Sequence, residues 1–86
     1  MTRKRLFSSN EIIAALLRAG FTLSRRSKGS HQAMVRQRPD SGHDVAILPL
    51  GKPEIPRGTL DSILEQAHID YEEFLRLARV RRKGRE

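Results

Sequence analysis

His31 is the residue of this chain best placed to do chemistry. It follows Lys28-Gly29-Ser30, and Arg25 and Arg26 stand just before that turn. If the flanking segments form a hairpin, several cations gather near one imidazole at the end of a sheet. Histidine's intrinsic pKa, about 6.5, lets it take or give a proton near neutrality. The cations suit a phosphodiester, whose oxygens they hold while the imidazole moves a proton. A structural role competes with this: His31 shares parity with Ala33 and Val35, which leans its ring on the rim of a core. The other two histidines need no chemistry. His43 follows Gly42 and reads as an exposed turn residue, and His68 falls near a helix C-terminus, where a cation meets a favourable dipole. No two histidines are spaced as a metal pair on one element, so no metal or other cofactor is expected. The absence of cysteine excludes disulfides, thiol catalysis and thiolate zinc sites. No glycine-rich phosphate loop or activated-serine motif occurs.

The elements that must position His31 are legible in the periodicity. Ser8 and Glu11 form a capping box, and Ile12, Ile13, Leu16 and Leu17 follow at helical spacing. Gly20 supplies the left-handed stop and Phe21 folds back on Leu16, so the first helix is expected over Ser9 to Ala19. Phe21 to Arg26 alternates as a strand, and Ser27-Lys28-Gly29 turns. Ser30 to Gln37 alternates again, with His31, Ala33 and Val35 on one side and Gln32, Met34 and Arg36 on the other. Pro39-Asp40-Ser41-Gly42 is a second turn, and Val45 to Leu48 is a third strand stopped at Pro49. Pro53 and Pro56 make residues 50–58 a loop. Thr59 is expected to cap a second helix with Leu60, Ile63, Leu64 and Ala67 on one face. Asp70 and Glu73 box the start of a third, from Tyr71 to about Arg81, with Ile69 and Phe74 as its staple. The order α-β-β-β-α-α predicts an α+β domain. In it a three-stranded antiparallel sheet packs against helices, the layout of the double-stranded-RNA-binding fold. Residues 1–7 read as a basic arm, 8–81 as the domain and 82–86 as a basic tail expected to fray.

With 86 residues, one small domain is the expectation, with no room for separate cofactor and substrate domains. No apolar run reaches the roughly 18 residues of a membrane span, nor does one after Met1-Thr2-Arg3-Lys4-Arg5 read as a signal peptide. A cytoplasmic protein is expected. The net charge of +7 is unevenly spread. Residues 1–38 hold nine basic side chains and one acidic, residues 39–78 three and eight, and residues 79–86 five and one. Positive potential concentrated in the first half and the tail attracts polyanions, chiefly nucleic acids, or an acidic protein partner. Arg3-Lys4-Arg5 and Arg81-Arg82-Lys83 read as solvated electrostatic arms. The N–H groups at Gly58-Thr59 fit ordinary helix capping better than a phosphate site.

A set of short motifs in fixed order resembles the HicA (YcfA-like) toxins, messenger-RNA interferases of type II toxin–antitoxin systems. It comprises Gly20-Phe21, Arg25, Gly29-Ser30-His31, Ile47-Leu48-Pro49, Gly58-Thr59-Leu60, Ile63-Leu64-Glu65-Gln66-Ala67 and Glu73-Phe74. The resemblance implies the double-stranded-RNA-binding fold and metal-independent endoribonuclease activity through the histidine of Gly-Ser-His, here His31. It also implies a HicB-type antitoxin that covers the active-site face, so that a free monomer becomes a hetero-oligomer with its antitoxin. Many relatives carry a second histidine shortly after the strand-three proline, where this chain has Leu50 and Gly51. The usual glycine after Gln-Ala is His68.

Chemistry and resemblance meet at one reaction. In RNA the 2′-hydroxyl attacks its own phosphate once a base removes its proton and cations stabilise the crowded phosphorane. His31 is the expected base or acid. Arg25, Arg26 and Lys28 are the expected phosphate contacts, Gly29 allows close backbone approach, and Ser30 orients the imidazole or donates to phosphate. The competing expectation is a non-catalytic RNA-binding module of the same fold. A DNA-binding regulator is disfavoured, since no helix-turn-helix spacing occurs.

Overall fold

A computed structural model describes residues 5–25 and 29–79. Arg26, Lys28, Arg3-Lys4 and the tail from residue 80 onward lie outside the described residues. The elements are α1 (Ser9–Arg18), β1 (Thr22–Leu23), β2 (His31–Gln37), β3 (His43–Pro49), α2 (Arg57–Ala67) and α3 (Tyr71–Arg79). The three strands form one antiparallel sheet in the order β1-β2-β3. The fold is therefore the expected α+β arrangement, α-β-β-β-α-α.

Local chemistry fixes the helix ends. Ser8 accepts from the Glu11 N–H while Glu11 accepts from the Ser8 N–H, both members of the capping box. At the other end Gly20 takes φ +102°. The Phe21 N–H then donates to Leu16 O and the Gly20 N–H to Leu17 O, each at 3.0 Å. This is the Schellman stop expected from Gly20-Phe21. The second helix starts three residues earlier than expected, at Arg57, with Pro56 rather than Thr59 at its N-cap. Proline's fixed φ, here −57°, is already suited to a helix start, and its missing N–H costs nothing there. The same helix ends on His68 in the left-handed region, with φ 59°. Asp70 caps α3 by accepting from the Glu73 N–H at 2.8 Å.

One core lies between the sheet and the helices. Ile12, Ala15 and Leu16 of α1, Leu60, Ile63 and Leu64 of α2, and Phe74 of α3 close over Met34, Ala46 and Leu48. Ile69 and Phe74 are both buried, as a staple requires. Phe7 is buried too. It pairs with Ile55 in an isolated bridge and meets Phe74 edge-on at 4.9 Å between ring centroids.

The core takes the Gln32, Met34, Arg36 parity of β2. His31, Ala33 and Val35 face the other way, so the alternative that leaned His31 on the core rim fails. Strand apolarity alone misleads here, because Arg36 faces inward to meet a buried acid in its register partner, Asp44. The first strand is also shorter than Phe21 to Arg26. Phe21 is drawn into the core, where the Arg36 guanidinium lies over its ring at 4.7 Å. At its far end the Ser24 N–H donates to Ala33 O, and the Gln32 amide then donates to both Ser24 O and Ala33 O. That side chain bonds the carbonyls there, and Arg25 follows in a turn.

Candidate active site

His31 opens β2 opposite Pro49, and the next backbone bond outward, from the Leu50 N–H to Ser30 O, is 2.7 Å long. Strand alternation puts His31, Ala33, Val35 and Gln37 on one face with His43, Val45, Ile47 and Pro49. No helix among the described residues covers this face: Val45 and Ile47 are 45% and 48% exposed, and His31 is exposed. None of these side chains is a carboxylate. The one acid on the strands, Asp44, points to the helix side and is enclosed. A negative ligand laid across the open face towards His31 therefore meets no charge of its own sign on the strands.

The other expected site residues are partly accounted for. Gly29, with φ +56°, and Ser30 are exposed and lead directly into His31, and open space surrounds the position a Gly29 Cβ would take. Arg25 is exposed in the turn after β1. Arg26 and Lys28 lie outside the described residues. His43 sits at the opposite end of the face, paired with Gln37. Six residues of strand, about 20 Å, separate it from His31, too far to share a proton.

Among the described residues three cations of the basic half, Arg5, Arg36 and Arg38, are paired with acids. The Asp44 carboxylate accepts from Arg36 Nε at 3.2 Å and Nη2 at 3.0 Å, from Arg38 Nη1 at 2.9 Å, and lies 2.7 Å from His68 Nδ1. Arg36 also donates to Ala19 O and Ala67 O, tying the C-terminal ends of α1 and α2 to the sheet. Burial by itself pushes the Asp44 carboxyl up, but the hydrogen bonds from Arg36, His68 and Arg38 outweigh it and hold its pKa below the usual carboxylate value. The expected cap role of His68 thus has a second part, since the residue in glycine's usual place also reaches Asp44. Arg5 pairs with Glu11 and Arg18 donates to Leu77 O. Arg36 and Arg38, counted with the cations of the basic half, are therefore structural. Their signal in the sequence was an acid and an arginine at matching strand positions.

A second missed feature stands beside His31. Ser9 is 1% exposed, and its backbone N–H donates to Lys52 O at 2.9 Å. Its hydroxyl donates to Pro49 O at 2.7 Å and accepts from the Lys52 N–H at 3.0 Å. These three bonds clasp the loop after β3 to the start of α1, and Gly51 turns between the anchored residues with φ +70°. A serine in a first helical turn carries no sequence signal for such a bond across 40 residues.

Among the described residues no three His, Cys, Asp or Glu side chains gather as a metal site, and no helix is long and apolar enough to cross a membrane. Comparison with curated proteins finds no match. A family model described as the HicA toxin of bacterial toxin–antitoxin systems matches residues 9–69, from the start of α1 through the staple residue Ile69. That span is more than two-thirds of the chain and takes in the whole sheet, His31 and the Ser9 clasp. The chain belongs to the HicA toxin family, and an antitoxin partner follows from that membership.

Proposed function

We propose that this toxin is an endoribonuclease that cleaves messenger RNA without a metal, with His31 as its catalytic residue. What carries the proposal is the exposed imidazole of His31 at the end of a sheet face free of carboxylates, directly after Gly29-Ser30. His31 takes the proton of a ribose 2′-hydroxyl, whose oxygen then attacks the adjacent phosphorus. The 5′-oxygen of the next nucleotide leaves and gains a proton, giving a 2′,3′-cyclic phosphate and a 5′-hydroxyl end. Arg25, Arg26 and Lys28 hold the phosphate and stabilise its added charge, Gly29 lets the backbone approach it, and Ser30 donates to it or steadies the imidazole. With His43 at the far end of the face, water or a neighbouring group protonates the leaving oxygen.

A HicB-type antitoxin covers the same open face. The aliphatic stripe of half-buried Val35 and exposed Val45 and Ile47 is a poor surface for RNA, which favours aromatic stacking, and a suitable centre for a protein interface. The site of action is the cytoplasm, where messenger RNA is available. Purified protein incubated with RNA and a chelator is expected to leave 2′,3′-cyclic phosphate ends. RNA that is bound but stays intact under those conditions makes the chain a binding module instead.

A further inference from the structure

We propose that Lys52 is a substrate-positioning residue, holding an RNA phosphate next to the one that is cleaved. The inference rests on the nuclease proposal for the identity of the ligand, and on separate geometry for the site. Pro49 stands opposite His31, and Lys52 follows it by three residues, within about 11 Å of chain reach. The segment between does not wander: Leu50 is bonded to Ser30, and both the N–H and the carbonyl of Lys52 are held by Ser9. A shallow cleft of 260 Å³ opens there, lined by Ser8, Ser9, Asn10, Gly51, Lys52 and Pro53.

Two observations point to an anionic occupant. Among the described residues Lys52 forms no ion pair, a state it shares with Arg18, Arg25, Arg76 and Arg79, so its ammonium is available to an anion. The nearest acid at the helix start, Glu11, is engaged by Arg5 and by the Ser8 N–H, so it does not compete for the ammonium. At the start of helix α1 the Ser9 N–H already bonds Lys52 O and the Glu11 N–H the Ser8 hydroxyl. The clasp ties the end of β3 to the start of α1 and holds the exposed loop between them. Its consequence is to fix the backbone of a cation three residues after Pro49, the strand partner of His31. A strand of RNA crossing the sheet end then meets Arg25, after β1, on one side of His31 and Lys52, after β3, on the other.

The test uses a short single-stranded RNA of defined sequence. Binding is measured against salt in the His31→Ala background, and cleavage is measured with His31 intact. Lys52→Ala is expected to lower the slope of log affinity against log salt by about 0.7, the value for one phosphate contact. It should also raise KM roughly two- to fivefold, the range for one exposed ion pair, and leave kcat in place. Lys52→Arg should restore both. Cleavage by the parent protein with slope and KM indifferent to Lys52→Ala overturns the Lys52 assignment alone. Binding with a Lys52-dependent slope but no cleavage by the parent overturns the nuclease and keeps the phosphate site. Absence of RNA binding overturns both.

Discussion

Replacing Ser9 with alanine removes one oxygen and breaks two hydrogen bonds that join elements 40 residues apart. The hydroxyl donates to Pro49 O and accepts from the Lys52 N–H, and alanine leaves both partners unmatched where Ser9 is 1% exposed. An intramolecular hydrogen bond contributes about 0.5–1.5 kcal/mol net, so the pair is worth about 1–3 kcal/mol. Lys52 is exposed, and water can reach its N–H, which places the expected loss near 2 kcal/mol. For a domain of this size that lowers Tm by roughly 8–16 °C. Ser8→Ala is the control. It removes the cap of the same helix at a cost of about 1 kcal/mol, while the Ser8 hydroxyl bonds Glu11 and not the loop. Urea denaturation gives the stability of each variant, and amide hydrogen exchange at Lys52 reports the clasp itself. Ser9→Ala should speed that exchange and Ser8→Ala should not. A Ser9→Ala protein within 0.5 kcal/mol (about a quarter of the expected loss) of wild type, with Lys52 still protected, would refute the clasp.

Three more outcomes are expected. Asp44→Asn should weaken the protein at neutral pH and change its acid profile. The folded-state pKa of Asp44 lies below the ordinary carboxylate value. Its contribution is therefore full above about pH 4 and lost as pH falls through the lowered value; denaturant midpoints measured from pH 7 to 2 should show that acid loss in wild type and not in the variant. Arg26→Ala and Lys28→Ala should each weaken RNA binding and reduce its salt slope by about 0.7; unchanged slopes mean that the turn faces away from RNA. Gly51→Ala places a side chain at φ +70°, where no neighbour lies within 4 Å of the added Cβ, so the loss of about 1–2 kcal/mol is backbone strain alone. Asparagine, which tolerates that region, should recover part of it by thermal denaturation.

How far the sequence could be read depended on whether the deciding interaction was local. The Ser8–Glu11 box, the Gly20-Phe21 stop and the Asp70 cap each involve residues within one turn, and their chemistry is written in neighbouring letters. The inward face of β2 was not legible from its own apolar residues. Ala33 and Val35 outweigh Met34 on that strand, yet Arg36 goes inward because Asp44 waits across the sheet. Pro56 displaced Thr59 because a fixed φ can start a helix without a side-chain cap. His31 and its Gly29-Ser30 approach were visible as a motif. Ser9 and Lys52 were not, since their bonds exist only once β3 brings the loop back to α1.

The most direct measurement is the single-turnover rate of RNA cleavage, with chelator present and protein saturating, for wild type and His31→Ala. Loss of the acid–base group should slow the step by about 10²–10⁴, while RNA binding and the far-ultraviolet spectrum stay those of the parent. A His31→Ala protein that cleaves at the wild-type rate would mean that the exposed imidazole is not the catalyst.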